Sequence, residues 1–398
     1  MPTPEYHASL SPSSAERWIN CPASVRLSAD VPKTTSADAE AGRLAHKIAE
    51  LKAQKKFTPM SARTYNSRLK KLQAAPEYRK EMDGYTDTYV EVLTEQAMSF
   101  DTSPTTALEA SVPIGEITGE RKADGAPATG TADCIQVGGG MLWVTDYKNG
   151  AGVPVSAIEN PQMKLYALGA LQLFSAFYGH TIQTVKMTIV QPALDSISSW
   201  ETARADLEAW ARNVVGPAAE QARQDICEPH PGEWCRTHFC PIRDTCRARA
   251  YDYLALEAFG QALPPTLTDT EVGDILIRAE GLVSWANALR GYALDACLKG
   301  REIPGWKAVE GRSNYAFKDP DLAINTLIEN GYPREVIFDQ KPKTLAQLKK
   351  MLGKKEFDRL LGDQEIKPPG KPTLAHEADK RLPYNPAAVA FGSAGSEK

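Results

Sequence analysis

Residues 130–170 read GTADCIQVGGGMLWVTDYKNGAGVPVSAIENPQMKLYALGA. Two apolar runs rich in β-formers, about 129–137 and 141–148, flank Gly138-Gly139-Gly140, which predicts two paired strands joined by a tight turn. Each run carries one acid, Asp133 in the first and Asp146 in the second. Lys148 stands two residues after Asp146, so the period of a strand puts both on one face, with Tyr147 on the other. The run from Pro161 to Phe177 follows as an apolar helix that carries Gln162 and Tyr166. Charged groups in apolar strands are costly unless something pairs them. Two acids and a lysine at the ends of paired strands suit a divalent-metal phosphodiesterase. Hard oxygen ligands hold Mg²⁺, and such a metal activates water and offsets charge on a phosphate.

Working outward, residues 11–56 read as helical, with Ser13 or Ser14 as a cap for a first short helix. Within them, 36–56 carry Ala39, Leu44, Ile48 and Leu51 at roughly helical spacing. Residues 76–100 read as another helix, and 105–115 as a strand that carries Glu109. A further strand is expected at 183–192, stopped by Pro192, and a helix over about 200–225. Helix, three strands, helix, strand, helix is the order of an α/β protein, a mixed central sheet flanked by helices. Beyond it, 265–300 read as one long helix, 303–317 as a hairpin or extended pair, and 319–330 and 343–361 as short helices. This gives a domain over 1–255, a helical and hairpin appendage over 256–367, and a Pro-, Ala- and Gly-rich tail over 368–398 expected to be disordered.

The chain has 398 residues, 42% hydrophobic and 24% charged, with a net charge of −4. These are the proportions of a globular protein. No run of about 18 apolar residues suggests a membrane span, and the N-terminus lacks the basic start and apolar core of a secretory signal. A cytoplasmic location and no membrane partner are expected. The negative balance does not itself point to nucleic acid, although local patches can grip phosphate on an acidic protein. One such run comprises Arg43, Lys47, Lys52, Lys55, Lys56, Arg63, Arg68, Lys70 and Lys71, with a solvated helical face as the competing reading. The absence of a Walker GKS/T run argues against ATP-driven unwinding by this chain. Arg301, Lys307 and Arg312 are further candidates for contacts with DNA.

Taken together, these positions resemble the PD-(D/E)XK nuclease superfamily in its RecB-like branch. Asp133 matches the first acid of that pattern, and Asp146-Tyr147-Lys148 matches the second part. Gly42-Arg43-Leu44-Ala45-His46 matches the helical histidine before the core, Gln162 and Tyr166 match the downstream helix, and Glu109 fits the upstream strand acid. The resemblance implies a restriction-endonuclease-like core. In it, Asp133, Asp146, His46 and the Tyr147 carbonyl bind Mg²⁺ or Mn²⁺, and Lys148 orients or deprotonates water and stabilises the transition state. Gln162 and Tyr166 hold the phosphate or the lysine, and Glu109 supports a second metal or organises the first.

Seven cysteines are present: Cys21, Cys134, Cys227, Cys235, Cys240, Cys246 and Cys297. A close cluster in a protein of a reducing compartment suggests metal or redox chemistry rather than disulfides. Cys21 in RWINCPAS with Cys235, Cys240 and Cys246 in GEWCRTHFCPIRDTC resembles the iron–sulfur staple of certain RecB-like nucleases, and four thiolates suit [4Fe–4S]. The four residues between Cys235 and Cys240 depart from the usual two. Zinc, with Cys21 or His238 as fourth ligand, is the competing reading, and free buried thiols are a third. Cys227 is an alternative ligand, while Cys134 and Cys297 read as core residues.

SPSSAERWINCPAS, TDYKNGAGVPVSAIENPQMKLYALGAL and IPGWKAVEGRSN are similar to a family of phage and prophage proteins taken to be RecB-like nucleases, over about residues 10–380. That resemblance implies a metal-dependent DNA exonuclease acting in phage-type recombination within a bacterial host cell. DNA is then the partner, alongside a single-strand annealing or single-strand-binding protein, and a homo-oligomer is open. An endonuclease or flap nuclease of the same fold, and a non-catalytic DNA-binding scaffold with a zinc module, are the alternatives.

Overall fold

A computed structural model describes residues 8–32, 36–179, 181–254, 267–309, 320–329, 333–338 and 345–361. The chain divides into two compact units, Met1–Tyr292 and Ala293–Lys398.

The first unit is built on a five-stranded mixed sheet in the order β1 (Thr105–Val112), β2 (Gly130–Gly138), β3 (Met141–Tyr147), β4 (Thr184–Gln191) and β5 (Ser196–Ala203). Neighbours pair antiparallel except β3 and β4, which are parallel. The Gly138-Gly139-Gly140 turn works because Gly139 and Gly140 take φ of 53° and 79°, a region open to glycine at no steric cost. The parallel step from β3 to β4 needs a crossover, and the helix expected after residue 160 supplies it.

Helices cover both faces. On one lie α1 (Ala15–Asn20) and α2 (Ala23–Leu27). The other is covered by α3 (Ala37–Phe57), which carries α4 (Ala62–Gln73) against it, and by α5 (Glu81–Met98). A single turn, α6 (Gly115–Thr118), follows β1, and α7 (Pro161–Leu173) is the crossover helix. The α7 side holds the larger core, with Trp18, Val112, Ile135, Leu142, Val144 and Met163 fully buried. The α3–α5 side holds a second core around Ile48, Met82, Tyr89, Leu93 and Tyr147. Buried Gln136 and Thr145 tie α5 to the sheet, Gln136 Nε2 donating to the Leu93 carbonyl and Thr145 Oγ1 to Gln96 Oε1.

The mixed sheet flanked by helices is the expected α/β fold, and some of its boundaries differ from expectation. Within 11–56, Pro22 breaks the early helical run into α1 and α2, while α3 begins after Ser36 as the 36–56 spacing predicts, the Ser36 hydroxyl accepting from Ala39 N. The helix expected to Phe177 stops at Leu173, and a turn, α8 (Ser175–Tyr178), follows Phe174. Residues 200–203, expected in a helix, belong to β5, an edge strand whose exposure alternates residue by residue. Helix α9 (Arg204–Trp210) begins after it and runs through a π-helical turn, Ala211–Val215, into α10 (Gly216–Ala222). Lys52 leaves the basic run, because it is buried between α3 and α5 and donates to the Asp83 carbonyl and to Asp87 Oδ1. Cys134 is in the core, but Cys297 is only half-buried.

The segment after α10 carries α11 (Trp234–Thr237), α12 (Arg247–Leu254) and α13 (Asp269–Leu298). Of the pair expected over 303–317, residues 303–309 are described and hold one isolated bridge, Ile303 to Trp306. Residues 310–319, with Arg312, and the tail over 368–398 lie outside the described residues. The second unit contains α14 (Pro320–Glu329), α15 (Arg334–Ile337), α16 (Leu345–Leu352) and α17 (Lys354–Leu361). No described helix is long and apolar enough to cross a membrane.

Candidate functional site

The register of the sheet brings three carboxylates into one row. Leu108 pairs with Cys134 and Ala110 with Ala132, so Glu109 stands opposite Asp133. Cys134 pairs with Thr145, and one further step sets Asp133 opposite Asp146. The ladder is interrupted at this row, for neither acid pair is bridged. Glu109 takes φ of 47°, a left-handed conformation that costs a non-glycine residue about 1–3 kcal/mol. Side-chain alternation changes phase across it. Ala107 and Ala110 both pack into the α7-side core, as do Ala132 and Ile135, although each pair is three residues apart. The kink turns Glu109 and Asp133 toward α3, where they line a small cavity with His46, Ala49, Glu50, Tyr89 and Tyr147.

His46 Nδ1 lies 3.5 Å from Asp133 Oδ2. The Tyr147 ring meets His46 edge-on at 5.2 Å between centroids and fixes its orientation. The contact that the Tyr147 main chain makes with the acids is through its N–H, which donates to Asp133 Oδ2 at 2.8 Å; the expected ligand was its carbonyl.

Asp146 and Lys148 share a face, as their spacing predicts, and Lys148 Nζ lies 3.0 Å from Asp146 Oδ2. Gln162 closes the triangle, its Nε2 donating to Asp146 Oδ1 at 3.0 Å and its Oε1 accepting from Lys148 Nζ at 3.4 Å. Local chemistry puts Gln162 there: Asn160 caps α7 by accepting from Gln162 N and Met163 N, and Pro161 occupies the first turn. Both suit a helix start, where unpaired N–H groups need an acceptor and proline costs no hydrogen bond. Tyr166 lies buried one turn further along. Asp146 Oδ2 is buried without a hydrogen-bond partner among the described residues, leaving only the charge of Lys148.

The electrostatics follow from the row. Burial, and then Asp133, Glu50 and Asp146, push the Glu109 carboxyl up to about 8. Burial and Asp146 raise Asp133 against the opposing pull of His46. Burial alone would lower Lys148, but Asp146 and Asp133 outweigh it and hold the ammonium protonated above its usual range. Burial also raises the Tyr166 hydroxyl, and Asp146 and Asp133 add to it. The site thus carries more negative charge than its residues can balance, which is the condition a bound cation relieves.

The donor set of carboxylates, an imidazole and nearby main chain fits a hard divalent ion. Among the described residues, no three His, Cys, Asp or Glu side chains already converge on one point. Mg²⁺ is commonly held by one or two carboxylates with the remaining positions filled by water and substrate phosphate. Glu50 was missed by sequence reasoning. Its only signal is the four-residue spacing from His46, which puts both on one side of α3.

Cys21, Cys235, Cys240 and Cys246 line a second small cavity together with His230. Cys21 ends α1, and the other three lie in and around α11 and before α12. His230 N donates to Cys21 Sγ at 3.3 Å. Burial raises the Cys21 and Cys235 thiols, and neighbouring cysteines add to it. His238 is exposed, bonds Thr237 through Nδ1 and does not line the cavity, so it does not complete a four-ligand set. Cys227 lies outside it as well. Four cysteines lining one space have the donor chemistry of a [4Fe–4S] cluster or a four-cysteine zinc site, but among the described residues no three of their thiols converge on one point.

A family described as "Protein of unknown function (DUF2800)" matches residues 7–382 of the chain. A solved structure titled "Crystal structure of SSO0001" aligns with 52% of this chain and 95% of its own, at 16% identity and a TM-score of 0.24.

Proposed function

The chain belongs to the DUF2800 family, whose description carries no activity, and from its site we propose that it is a metal-dependent phosphodiester hydrolase acting on DNA ends as an exonuclease. The observation that carries this reading is the linked set at the strand ends: Asp133 with His46, and Asp146 with Lys148 and Gln162. The same set underlies the resemblance to RecB-like PD-(D/E)XK nucleases. Asp133 and Asp146 would hold Mg²⁺ or Mn²⁺, with His46 and Glu109 as further donors. When bound, that ion supplies charge neutralisation at the phosphate and a more acidic water.

The protein's own groups divide the remaining work. Lys148, held beside Asp146, would orient the attacking water and present its charge to the phosphoryl oxygens. Gln162 holds Lys148 and Asp146 in register. Tyr166, kept neutral by burial, can donate to a phosphate oxygen. At the second cavity, the four cysteines would bind a structural [4Fe–4S] cluster, with zinc as the alternative. It would hold α1 to the 235–246 segment. The setting proposed for this activity is phage-type recombination in a bacterial cytoplasm, beside an annealing or single-strand-binding protein.

The test uses anaerobically purified protein with linear duplex, linear single-stranded and circular DNA in Mg²⁺, Mn²⁺ or EDTA. Metal-dependent loss of linear DNA alone is expected, and Lys148→Ala should abolish it while leaving DNA binding nearly intact. Cutting of circles would make it an endonuclease, and full cleavage by Lys148→Ala or Asp146→Ala would overturn the assignment.

A further inference from the structure

We propose that the trough between α3 and α4 binds the backbone of single-stranded nucleic acid and leads it to the acid row. What then happens to the strand rests on the phosphodiesterase reading; the binding does not.

The trough encloses about 720 Å³. From the nine-residue basic run, Arg43 and Lys47 on α3 and Arg68 and Lys71 on α4 line it. Lys55, Lys56, Arg63 and Lys70 do not, and Lys52 is buried elsewhere. The selection follows from helical spacing. Arg43 and Lys47 are four apart and Arg68 and Lys71 three apart, so each pair projects from one side of its helix. Arg43 has a long contact with Glu40 at 3.8 Å. Lys47, Arg68 and Lys71 are exposed and have no ion-pair partner among the described residues. Of the other acids in the lining, Glu77 remains, and Glu50 belongs also to the acid row. The floor is apolar, formed by Leu44, Leu51, Leu72 and Ala75.

The four cations outnumber the three carboxylates of the lining, and a polyanion lying between them would pair with the cations while releasing its own counterions. The volume decides the kind of polyanion. A space of about 720 Å³ beside two adjoining helices takes a short stretch of one strand, whereas a duplex would rest on the rim. The apolar floor can meet base or sugar surface. It offers no aromatic ring among its lining residues, so binding should be indifferent to sequence and sensitive to salt.

Direction comes from Glu50. It lines the trough and also the small cavity of His46, Glu109 and Asp133. The trough therefore adjoins the row of acids, and α3 serves both sites, with Lys47 beside His46 in the chain.

The experiment measures fluorescence polarisation of a labelled oligothymidylate with the full-length protein in EDTA. Its arms add oligouridylate and duplex, a salt titration, and the double variant Lys47→Glu/Lys71→Glu. Arg212→Glu, an exposed charge in the π-helical turn, serves as control. Both lysines sit on exposed helical surface, so the double variant should melt as the wild type does. Expected is a loss of about tenfold or more in affinity, with the salt slope falling by about 1.4, the value for two lost contacts to a single strand. Equal loss in DNA and RNA would show that the backbone alone is read. Unchanged affinity in the double variant, an equal loss in Arg212→Glu, no strand binding by the wild type, or tighter duplex binding that depends equally on the two lysines would overturn the proposal.

Hydrolysis of bis(p-nitrophenyl) phosphate in Mn²⁺ separates this from the activity. That diester needs the acids and not the trough, so the double variant should retain it. If no protein hydrolyses it but the double variant still loses the strand, the trough stands and the hydrolase reading falls.

Discussion

Glu109→Gln should stabilise the metal-free protein at alkaline pH and leave it unchanged in acid. The side chain is half-buried in the row of acids, and burial with Asp133, Glu50 and Asp146 carries its carboxyl from the ordinary 4.5 up to about 8. A carboxyl whose folded value lies above its unfolded value releases its proton more readily in the unfolded state, so folding loses stability as pH rises. The cost is absent below pH 4.5, grows between 4.5 and about 8, and is complete above that. At about 1.4 kcal/mol per pH unit, its ceiling is about 5 kcal/mol. Solvent screening at a half-buried site reduces it to about 2–3 kcal/mol. Glutamine keeps the shape and the left-handed backbone, so the strain at Glu109 cancels in the comparison. Urea unfolding in EDTA should give matching midpoints near pH 4.5 and a higher midpoint for Glu109→Gln above pH 8. A variant no more stable than wild type above pH 8, or one equally stabilised in acid, would refute the account of the acid row.

Two further outcomes can be checked on purified protein. A Cβ added at Gly169 would lie 2.9 Å from Val112 Cβ and 3.0 Å from its Cγ2. The neighbour is a β-branched residue at the end of β1, so the overpacking cost of about 1–3 kcal/mol exceeds the gain of about 1 kcal/mol from helix propensity. Gly169→Ala should therefore melt lower by thermal denaturation, and a higher melting temperature would mean that α7 shifts freely on β1. Under the proposed cluster, Cys246→Ala should lose iron, visible absorbance and melting temperature together, and an equally stable variant with unchanged metal content would remove Cys246 from the ligand set.

The parts of the fold that could be read from sequence are those where one pattern decides the element. Strands β2, β3 and β4 are apolar runs stopped by Gly138-Gly139-Gly140 and Pro192, and α7 announces itself through Asn160-Pro161. Strand β5 carries a period-2 pattern, with Ser196, Ser198, Trp200 and Thr202 on its half-buried side. Glu201, Ala203 and the helix-forming run from Arg204 mask it, and pairing along all of β4 decides for strand. Helix α4 buries no residue fully, and only Leu69 and Leu72 pack it against the core, so its apolar face is narrow among many charges. In the site, Asp133, Asp146, Lys148 and Gln162 were legible because adjacent strands and one capped helix bring them together over a short stretch. The phase change at Glu109 was not, since the sequence offers no glycine there to mark it. Glu50 was hidden among the charges of a helix that is polar on its outer side.

The acid row gathers three costs in one place. Glu109 holds a left-handed backbone, three carboxylates stand in register across β1, β2 and β3, and Asp146 is buried with the Lys148 ammonium at 3.0 Å as its counter-charge. Packing does not require any of them. The α7-side and α3-side cores close on either side of the row with apolar residues, and apolar side chains at 109, 133 and 146 would join them without repulsion. Each cost is about 1–3 kcal/mol, comparable to much of a domain's net stability of about 5–15 kcal/mol. Arrangements of this kind persist where something outside the fold gains from them. Among the described residues, the basic groups set against the row are Lys148 and the His46 imidazole, and Lys148 answers Asp146 first. Asp133 is left with His46 and the Tyr147 N–H, while Glu109 faces burial and other carboxylates, a balance that a bound cation would relieve.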